Sequence, residues 1–210
     1  MNIIFDFDGT ISDSMLPSIR HIAKWVPGVD VDEFIRGELE DFRDRTIQEN
    51  LSFFKISKIR FAIMYFLYKN EMEDGVGETK IFDGMRAVLD QLSRMGHSLF
   101  IVTSHSKKNV EDFLMRNNIS VFKHVYSSKA LFGKHRLLKK LFLEYKTGAD
   151  NSVYVGDEVR DIQACKKAGV RIISVTWGYN SKKLLERYSP DFIAESPADI
   201  LELVSQMRMI

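Results

Sequence analysis

Scarcity is informative in this chain. It has 210 residues and one cysteine, Cys165, so no disulfide can close within it, and a reduced, cytoplasmic setting fits. Excess charge is missing too. Thirty basic residues against 29 acidic ones leave a net charge of +1, so no global field argues for nucleic acid or an anionic membrane as partner. Long apolar runs are absent: the most apolar later stretch, Phe61 to Tyr68, is far too short to span a bilayer. The first residues carry no basic region, and Asp6 and Asp8 interrupt their apolar run, so no signal peptide is expected. Neither an internal repeat nor a low-complexity segment is visible. No nucleic-acid or membrane partner is expected, and the expected assembly is a monomer or homodimer.

What is present is ordinary for a globular protein: 45% apolar and 28% charged residues. The length suggests one domain, or one with a sizeable insertion. The chain is organised around its N-terminal stretch, Ile3-Ile4-Phe5-Asp6-Phe7-Asp8-Gly9-Thr10. Ile3 to Phe5 are too few for a helix and read as a strand buried on both faces. Asp6 and Asp8 stand where that strand should stop, and Gly9 supplies the turn. Residues two apart on an extended chain point the same way, so the two carboxylates share a face while Phe7 looks into the core. In open α/β sheets the ligand crevice lies beyond the carboxyl ends of the strands, where this pair sits.

The chain then changes character twice. Residues 11 to about 80 show no buried-strand signal and read as helices. The first is capped by Ser12 or Asp13 and carries Met15, Leu16, Ile19, Ile22, Ala23 and Val26, with Pro27-Gly28 to end it. A second runs from about Asp32 to Leu39, a third follows Arg45, and a fourth spans roughly Ile56 to Met72 with Ile59, Ile63, Phe66 and Leu67 along one stripe. Asp74-Gly75-Val76-Gly77 reads as a hinge and Phe82-Asp83-Gly84 as the re-entry. From about Asp83 helices and strands alternate: strands at Ser98–Val102, within Val121–Tyr126, at Val153–Val155, Ile172–Val175 and Phe192–Ile193, with helices between them and a closing helix over Ala198–Met207. That alternation implies βαβ units and a parallel sheet covered on both sides. The expected fold is α/β: a core formed by 1–13 and 81–210, interrupted by a helical cap over 14–80.

Each main strand ends in chemistry. One gives Thr103-Ser104, a hydroxyl and free amides at a strand end. The loop before the helix at Arg136 gives Gly133-Lys134, and the strand at Val155 runs into Gly156-Asp157-Glu158-Val159-Arg160-Asp161. Singly these signals are weak, but parallel neighbouring strands would bring them together.

Asp-Phe-Asp-Gly-Thr at 6–10, Thr103, Lys134 and Gly-Asp-x-x-x-Asp at 156–161 resemble the four motifs of the haloacid dehalogenase-like hydrolase superfamily. The resemblance spans essentially the whole chain and is greatest to the phosphoglycolate phosphatase-like and beta-phosphoglucomutase-like branch. It implies a Rossmann-like core with a small helical-bundle cap, and a magnesium-dependent phosphohydrolase working through an aspartyl-phosphate.

The chemistry of the residues agrees. A phosphate monoester is anionic, so a carboxylate nucleophile such as Asp6 needs charge neutralisation before it can approach. Mg2+ suits a site of few carboxylates plus substrate phosphate. Asp6, the backbone carbonyl of Asp8 and Asp157 would be ligands, with Asp161 binding directly or through a water. Lys134 offsets phosphoryl charge, while Thr103 and the Ser104 amide hydrogen-bond the transferring oxygens. Asp8 would protonate the leaving alkoxide and then take a proton from the attacking water.

Other residues carry less. In many relatives Asn follows the second-motif Thr; here Ser104 and His105 follow it. His105, His21, His97, His124 and His135 show no metal-ligand spacing and read as surface or hydrogen-bonded residues. Cys165 reads as a small core residue, and Trp177-Gly178-Tyr179-Asn180 as a border of the cleft or a packing segment. Arg43 and Arg45 in the cap are candidates for contacting an anionic substrate, in a basic run that otherwise reads as a solvated face. The leading function is hydrolysis of a small phosphorylated metabolite, phosphoglycolate-like or a sugar phosphate. The alternatives are a phosphomutase with the same core chemistry and a non-enzymatic phospho-aspartate signalling module. A dehalogenase has no use for Asp8.

Overall fold

In the computed structural model the described residues are 1–24, 26, 28–64, 79–128 and 133–207. The first strand, β1 (Asn2–Phe5), is buried along its whole length. After it come a two-residue strand β2 (Ser12–Asp13) and the helices α1 (Met15–Ala23), α2 (Val31–Gly37), α3 (Leu39–Arg43), α4 (Ile47–Phe53) and α5 (described over 58–64). The chain returns through β3 (Lys80–Ile81). It then alternates: α6 (Met85–Arg94), β4 (Ser98–Thr103), α7 (Lys107–Arg116), β5 (Phe122–Ser127), α8 (Lys134–Glu144), β6 (Ser152–Gly156), α9 (Val159–Ala168), β7 (Arg171–Val175), α10 (Lys182–Arg187), β8 (Phe192–Ala194) and α11 (Pro197–Met207).

Six strands form one parallel sheet in the order β5-β4-β1-β6-β7-β8. β1 lies between β4 and β6, with Ile4 opposite Phe100 on one side and Tyr154 on the other. Strand pleating divides the core in two. Ile3, Phe5, Leu99, Ile101, Val153 and Val155 pack with α6, α7 and α11, while Ile4, Phe100, Val102, Tyr154 and Ile172 pack with α8, α9 and α10. Helices therefore cover both faces, the doubly wound, Rossmann-like arrangement expected from the alternation. From β1 the chain moves to β4, and from β6 it moves the opposite way to β7. A crevice must open beyond the carboxyl ends of β1 and β6.

The region between β2 and β3 is helical among its described residues. Thr46 opens α4 with a capping box completed by Glu49, worth about 1 kcal/mol. Several local expectations need correction. β2 and β3 pair antiparallel, with Ser12 opposite Ile81, so residues 11–80 are not free of strand; two residues are too few to leave a periodic trace. The ladder joins the point where the chain leaves the core to the point where it returns. The first helix has Ser14 at its N-cap, not Ser12 or Asp13, and ends at Ala23. The second segment breaks at Glu38 into α2 and α3. Lys134 is the first residue of α8 rather than part of a loop. The short α10, capped by Ser181, had no counterpart in the sequence reading. Ile59 and Ile63 are 76% and 56% exposed, so the described part of the Ile59–Leu67 stripe faces outward. The remainder of the expected helix, beyond residue 64, and the expected hinge at 74–77 lie outside the described residues. No helix among the described residues is long and apolar enough to cross a membrane.

Ile4 lies at the centre of the sheet with no exposure. Ile4→Ala should lower the unfolding free energy by about 2–5 kcal/mol, read as a shifted urea midpoint at unchanged m-value. A loss below about 1 kcal/mol would contradict close packing between β1 and the α8–α9 layer.

Candidate active site

The crevice at the carboxyl edge of the sheet collects the charged residues. Asp6 follows β1 directly, and its N–H donates to Val155 O on β6 (2.8 Å). Its Oδ1 accepts from Phe7 N (2.7 Å), and Lys134 Nζ donates to its Oδ2. Lys134 also donates to Asp161 Oδ1 (2.5 Å), so one ammonium from α8 bridges a carboxylate after β1 and a carboxylate in the first turn of α9. Asp157, after β6, accepts from Thr10 Oγ1 (2.7 Å) and Tyr179 N (2.8 Å). All these acids and the lysine are buried.

Two glycines make room for Asp157. Gly9 has φ +70°, and a Cβ there would stand 2.3 Å from Asp157 Oδ2. A Cβ on Gly178 would stand 2.2 Å from the same oxygen. Both distances are far inside van der Waals contact, so these positions exclude any side chain.

Burial against like charge sets the electrostatics. The Asp6 carboxyl is pushed up to about 7 by burial, with Lys134 pulling it down and Asp161 pushing it further up. Asp157 is pushed well above the usual carboxylate range by burial and by Glu158, Asp6 and Asp161. Burial works against the Lys134 charge, but Asp161 and Asp6 outweigh it and keep the ammonium protonated. Three acids share one cation, and the crevice carries surplus negative charge if all are ionised. Asp6, Asp157 and Asp161 each offer an oxygen within 4.8 Å of the others, the one such group among the described residues. Hard oxygen donors, burial and surplus negative charge fit a small divalent cation.

Around this group the structure places the remaining candidates. Thr103 ends β4, two residues beyond Ile101, the partner of Phe5, and so stands beside the end of β1. Its Oγ1 accepts from His105 N (2.9 Å). Ser104 Oγ lies 3.4 Å from Arg160 Nη1, and Arg160 pairs with Glu158 at 2.5 Å. Asp8 faces a cavity of about 210 Å³ whose wall also includes Ser104, His105, Arg160 and, from the helical insertion, Arg45 and Asn50. Burial raises the Asp8 carboxyl, but the adjoining His105, with the Ser14 hydroxyl and Arg160, outweighs this and leaves it below the usual range.

Arg43 and Arg45 part company. Arg43 donates to Gly178 O (3.2 Å) and Thr176 O (2.6 Å), which ties the end of α3 to the segment after β7. Arg45 lines the cavity and lies 3.9 Å over the Phe53 ring. Asp44 adds an ion pair to Lys183 (2.6 Å) and accepts from the Ser181 hydroxyl. Reading the sequence missed Thr10, Gly178 and Tyr179 N as the holders of Asp157. A backbone donor such as Tyr179 N and the excluded volume at Gly178 leave no residue-type signal, and the Thr10 hydroxyl reaches an acid 147 positions away.

Gly178→Ala should displace Asp157 and abolish any rise in melting temperature on adding magnesium, while the sheet still folds by circular dichroism. A full magnesium-induced rise in that variant would contradict the packing described around Asp157.

Comparison with known proteins agrees with this geometry. The family model described as haloacid dehalogenase-like hydrolase matches residues 3–175. A phosphoglycolate phosphatase of Synechococcus elongatus is 33% identical over 210 residues, covering 98% of this chain and 97% of the relative. The pyrophosphatase PpaX of Bacillus cereus is 23% identical, with 98% and 97% covered. The solved structure of a haloacid dehalogenase-like family protein from Streptococcus pneumoniae superposes with a TM-score of 0.74 at 23% identity, covering 97% of each chain. It supports the fold alone. The matched span runs from β1 through β7 and contains all four strand-end motifs, and the chain belongs to the haloacid dehalogenase-like hydrolases, in the phosphoglycolate phosphatase-like branch.

Proposed function

We propose that this haloacid dehalogenase-like phosphatase hydrolyses the phosphate monoester of a small metabolite through a phosphorylated Asp6, with Mg2+ as cofactor. The observation that carries the reading is the placement of Asp6: buried at the end of β1 and oriented by Phe7 N and Lys134, with Asp157 and Asp161 in reach of one shared cation.

Asp6, the Asp8 carbonyl and Asp157 would hold the metal, with Asp161 bound directly or through a water. When bound, Mg2+ supplies charge neutralisation that lets Asp6 ionise and an anionic phosphoryl group approach. The protein's own groups do the rest. An Asp6 oxygen attacks phosphorus as the bond to the leaving oxygen breaks. Lys134 balances charge on the transferring group, and Thr103 Oγ1 with the Ser104 amide hydrogen-bonds its oxygens. Asp8, whose resting form is ionised beside His105, must hold a proton as the substrate binds. It gives that proton to the leaving alkoxide, then accepts one from the water that releases inorganic phosphate from Asp6; such proton transfers are typically worth ~10²–10⁴-fold. Residues 14–80 act as the cap over this crevice. Phosphatase and pyrophosphatase relatives favour hydrolysis over phosphoryl retention by a mutase, and a signalling module would have no use for the cap or for Asp8.

The cavity supports a small substrate. About 210 Å³ between Asp8 and the cap suits a small leaving group, and the phosphoglycolate phosphatase relative points to a small phosphorylated acid or sugar. Of the two candidates Arg43 and Arg45, it is Arg45 that lines that space, so it is the insertion's group that would read a substrate anion.

Asp6→Asn keeps the shape and removes the nucleophile, so turnover should fall by roughly 10³-fold or more with the fold intact. A variant retaining a tenth of the activity would move the nucleophile elsewhere. Chelation should abolish activity and magnesium restore it. Magnesium should also raise the melting temperature of the wild type but not of Asp157→Asn, since a ligand at 100 times its Kd adds about 2.7 kcal/mol. Full activity in chelator would sink the coordination scheme. Arg45→Ala should raise KM for the substrate found in a screen of phosphorylated metabolites more than for a small aryl phosphate. Equal effects on both would return Arg45 to the solvated face.

A further inference from the structure

Asp8 differs from the other acids in being open. Its side chain is 20% exposed on the cavity wall, against 2% for Asp6 and none for Asp161. A carboxyl at such a surface has rotamer freedom, and proton transfer at a fixed leaving oxygen needs one orientation. The backbone beneath it is held by the Gly9 N to Ser12 O bond (2.9 Å) and by a bridge between Asp8 and Ser12, but neither fixes the carboxyl, which the Ser14 hydroxyl and His105 adjoin.

His105 is built to do so. Its Nδ1 lies 3.0 Å from Asp8 Oδ2. The residue is pinned at both backbone ends: its N–H donates to Thr103 Oγ1 (2.9 Å), and its carbonyl accepts from the Ser127 hydroxyl of β5. Its ring packs against Phe7 with centroids 5.6 Å apart, and Phe7 in turn meets Phe113 of α7 edge-to-face at 5.0 Å. The imidazole is thus 7% exposed and braced by β4, β5 and α7, while presenting one nitrogen to the one exposed acid of the site.

We infer that His105 is the positioning residue of the proton-transfer step: it clamps the Asp8 carboxyl so that it faces the leaving oxygen and later the attacking water. The inference rests on the acid–base role proposed above for Asp8. His105 touches neither phosphoryl group nor metal in this scheme and acts through Asp8 alone.

Two substitutions separate the nitrogen from the ring. His105→Phe keeps an aromatic ring against Phe7 and removes the nitrogen. His105→Asn removes the ring and keeps a nitrogen the same number of bonds from Cα as Nδ1. Each is assayed with saturating magnesium on 4-nitrophenyl phosphate, whose leaving group needs no acid, and on an alkyl phosphate, whose leaving group does. For His105→Phe, kcat/KM on the alkyl ester should fall roughly 10–100-fold, while kcat/KM on the nitrophenyl ester changes less than about threefold. His105→Asn should restore most of the alkyl-ester activity. In an Asp8→Asn background, read as residual single-turnover cleavage of either ester, His105→Phe should cost nothing further, because the carboxyl it positions is gone. Should His105→Phe fold poorly, His105→Leu serves as the second nitrogen-free variant.

Equal losses on both esters, or a further loss in the Asp8→Asn background, would show that His105 only packs and would overturn the inference. So would a His105→Phe enzyme of wild-type activity on the alkyl ester. The two readings fail separately. If Asp8→Asn alone hydrolyses the alkyl ester at near-wild-type rate, the acid–base role falls. If Asp8→Asn is inactive on the alkyl ester and His105→Phe keeps wild-type kcat/KM on it, only the clamp falls.

Discussion

The structure depends on holding three carboxylates and one ammonium together out of water. Asp6, Lys134 and the pair Asp157 and Asp161 arrive on three separate segments: the end of β1, the start of α8, and the turn from β6 into α9. Each desolvated charge costs several kcal/mol unless it is paired and hydrogen-bonded. Lys134 pairs with two of the acids, Thr10 and Tyr179 N satisfy the third, and Phe7 N fixes the first. What remains is surplus negative charge, which makes the crevice a poor resting place for carboxylates alone and a good one for a divalent cation and a phosphoryl group. A feature unfavourable to the bare fold is the one the proposed chemistry uses.

The rest of the architecture keeps that cluster in register. Parallel pairing of β1 with both β4 and β6 sets the heights of Asp6, Thr103 and Asp157 within one sheet. Side chains on both faces then fix the strands. The segment after β7 has two duties. It donates Tyr179 N to Asp157 and Asn180 N to the Asp157 carbonyl (3.3 Å), and it receives the helical insertion through Arg43, Asp44 and the Ser181 N to Arg43 O bond (3.0 Å). Seating of the insertion and placement of Asp157 therefore share one stretch of backbone.

Much of this was legible in the sequence because it leaves a local trace. Apolar runs of four to six residues alternating with amphipathic helices announce a parallel sheet, and acids placed directly after such runs announce its functional edge. Other parts leave no such trace. The β2–β3 ladder has two residues a side, too short for periodicity, and α10 has six. Lys134 reads as a loop cation because a helix that starts with its functional residue has nothing before it to mark the boundary. Arg43 and Arg45 are equivalent in the sequence. Only the path of α3 turns one onto the carbonyls of residues 176 and 178 and the other into the cavity. His105 is one of five scattered histidines, and its place beside Asp8 follows from the pairing of β4 with β1 rather than from anything near it in the chain.

The central claim is that phosphate passes through Asp6, with Asp8 needed to release it. The most direct measurement is intact-mass spectrometry with peptide mapping of Asp8→Asn, acid-quenched after mixing with magnesium and 4-nitrophenyl phosphate. The leaving group needs no acid, but the amide cannot activate water, so a phosphoryl adduct should accumulate on the peptide carrying Asp6 and stay low in the wild type. Turnover by Asp8→Asn without any adduct, or an adduct on a residue other than Asp6, would contradict the account.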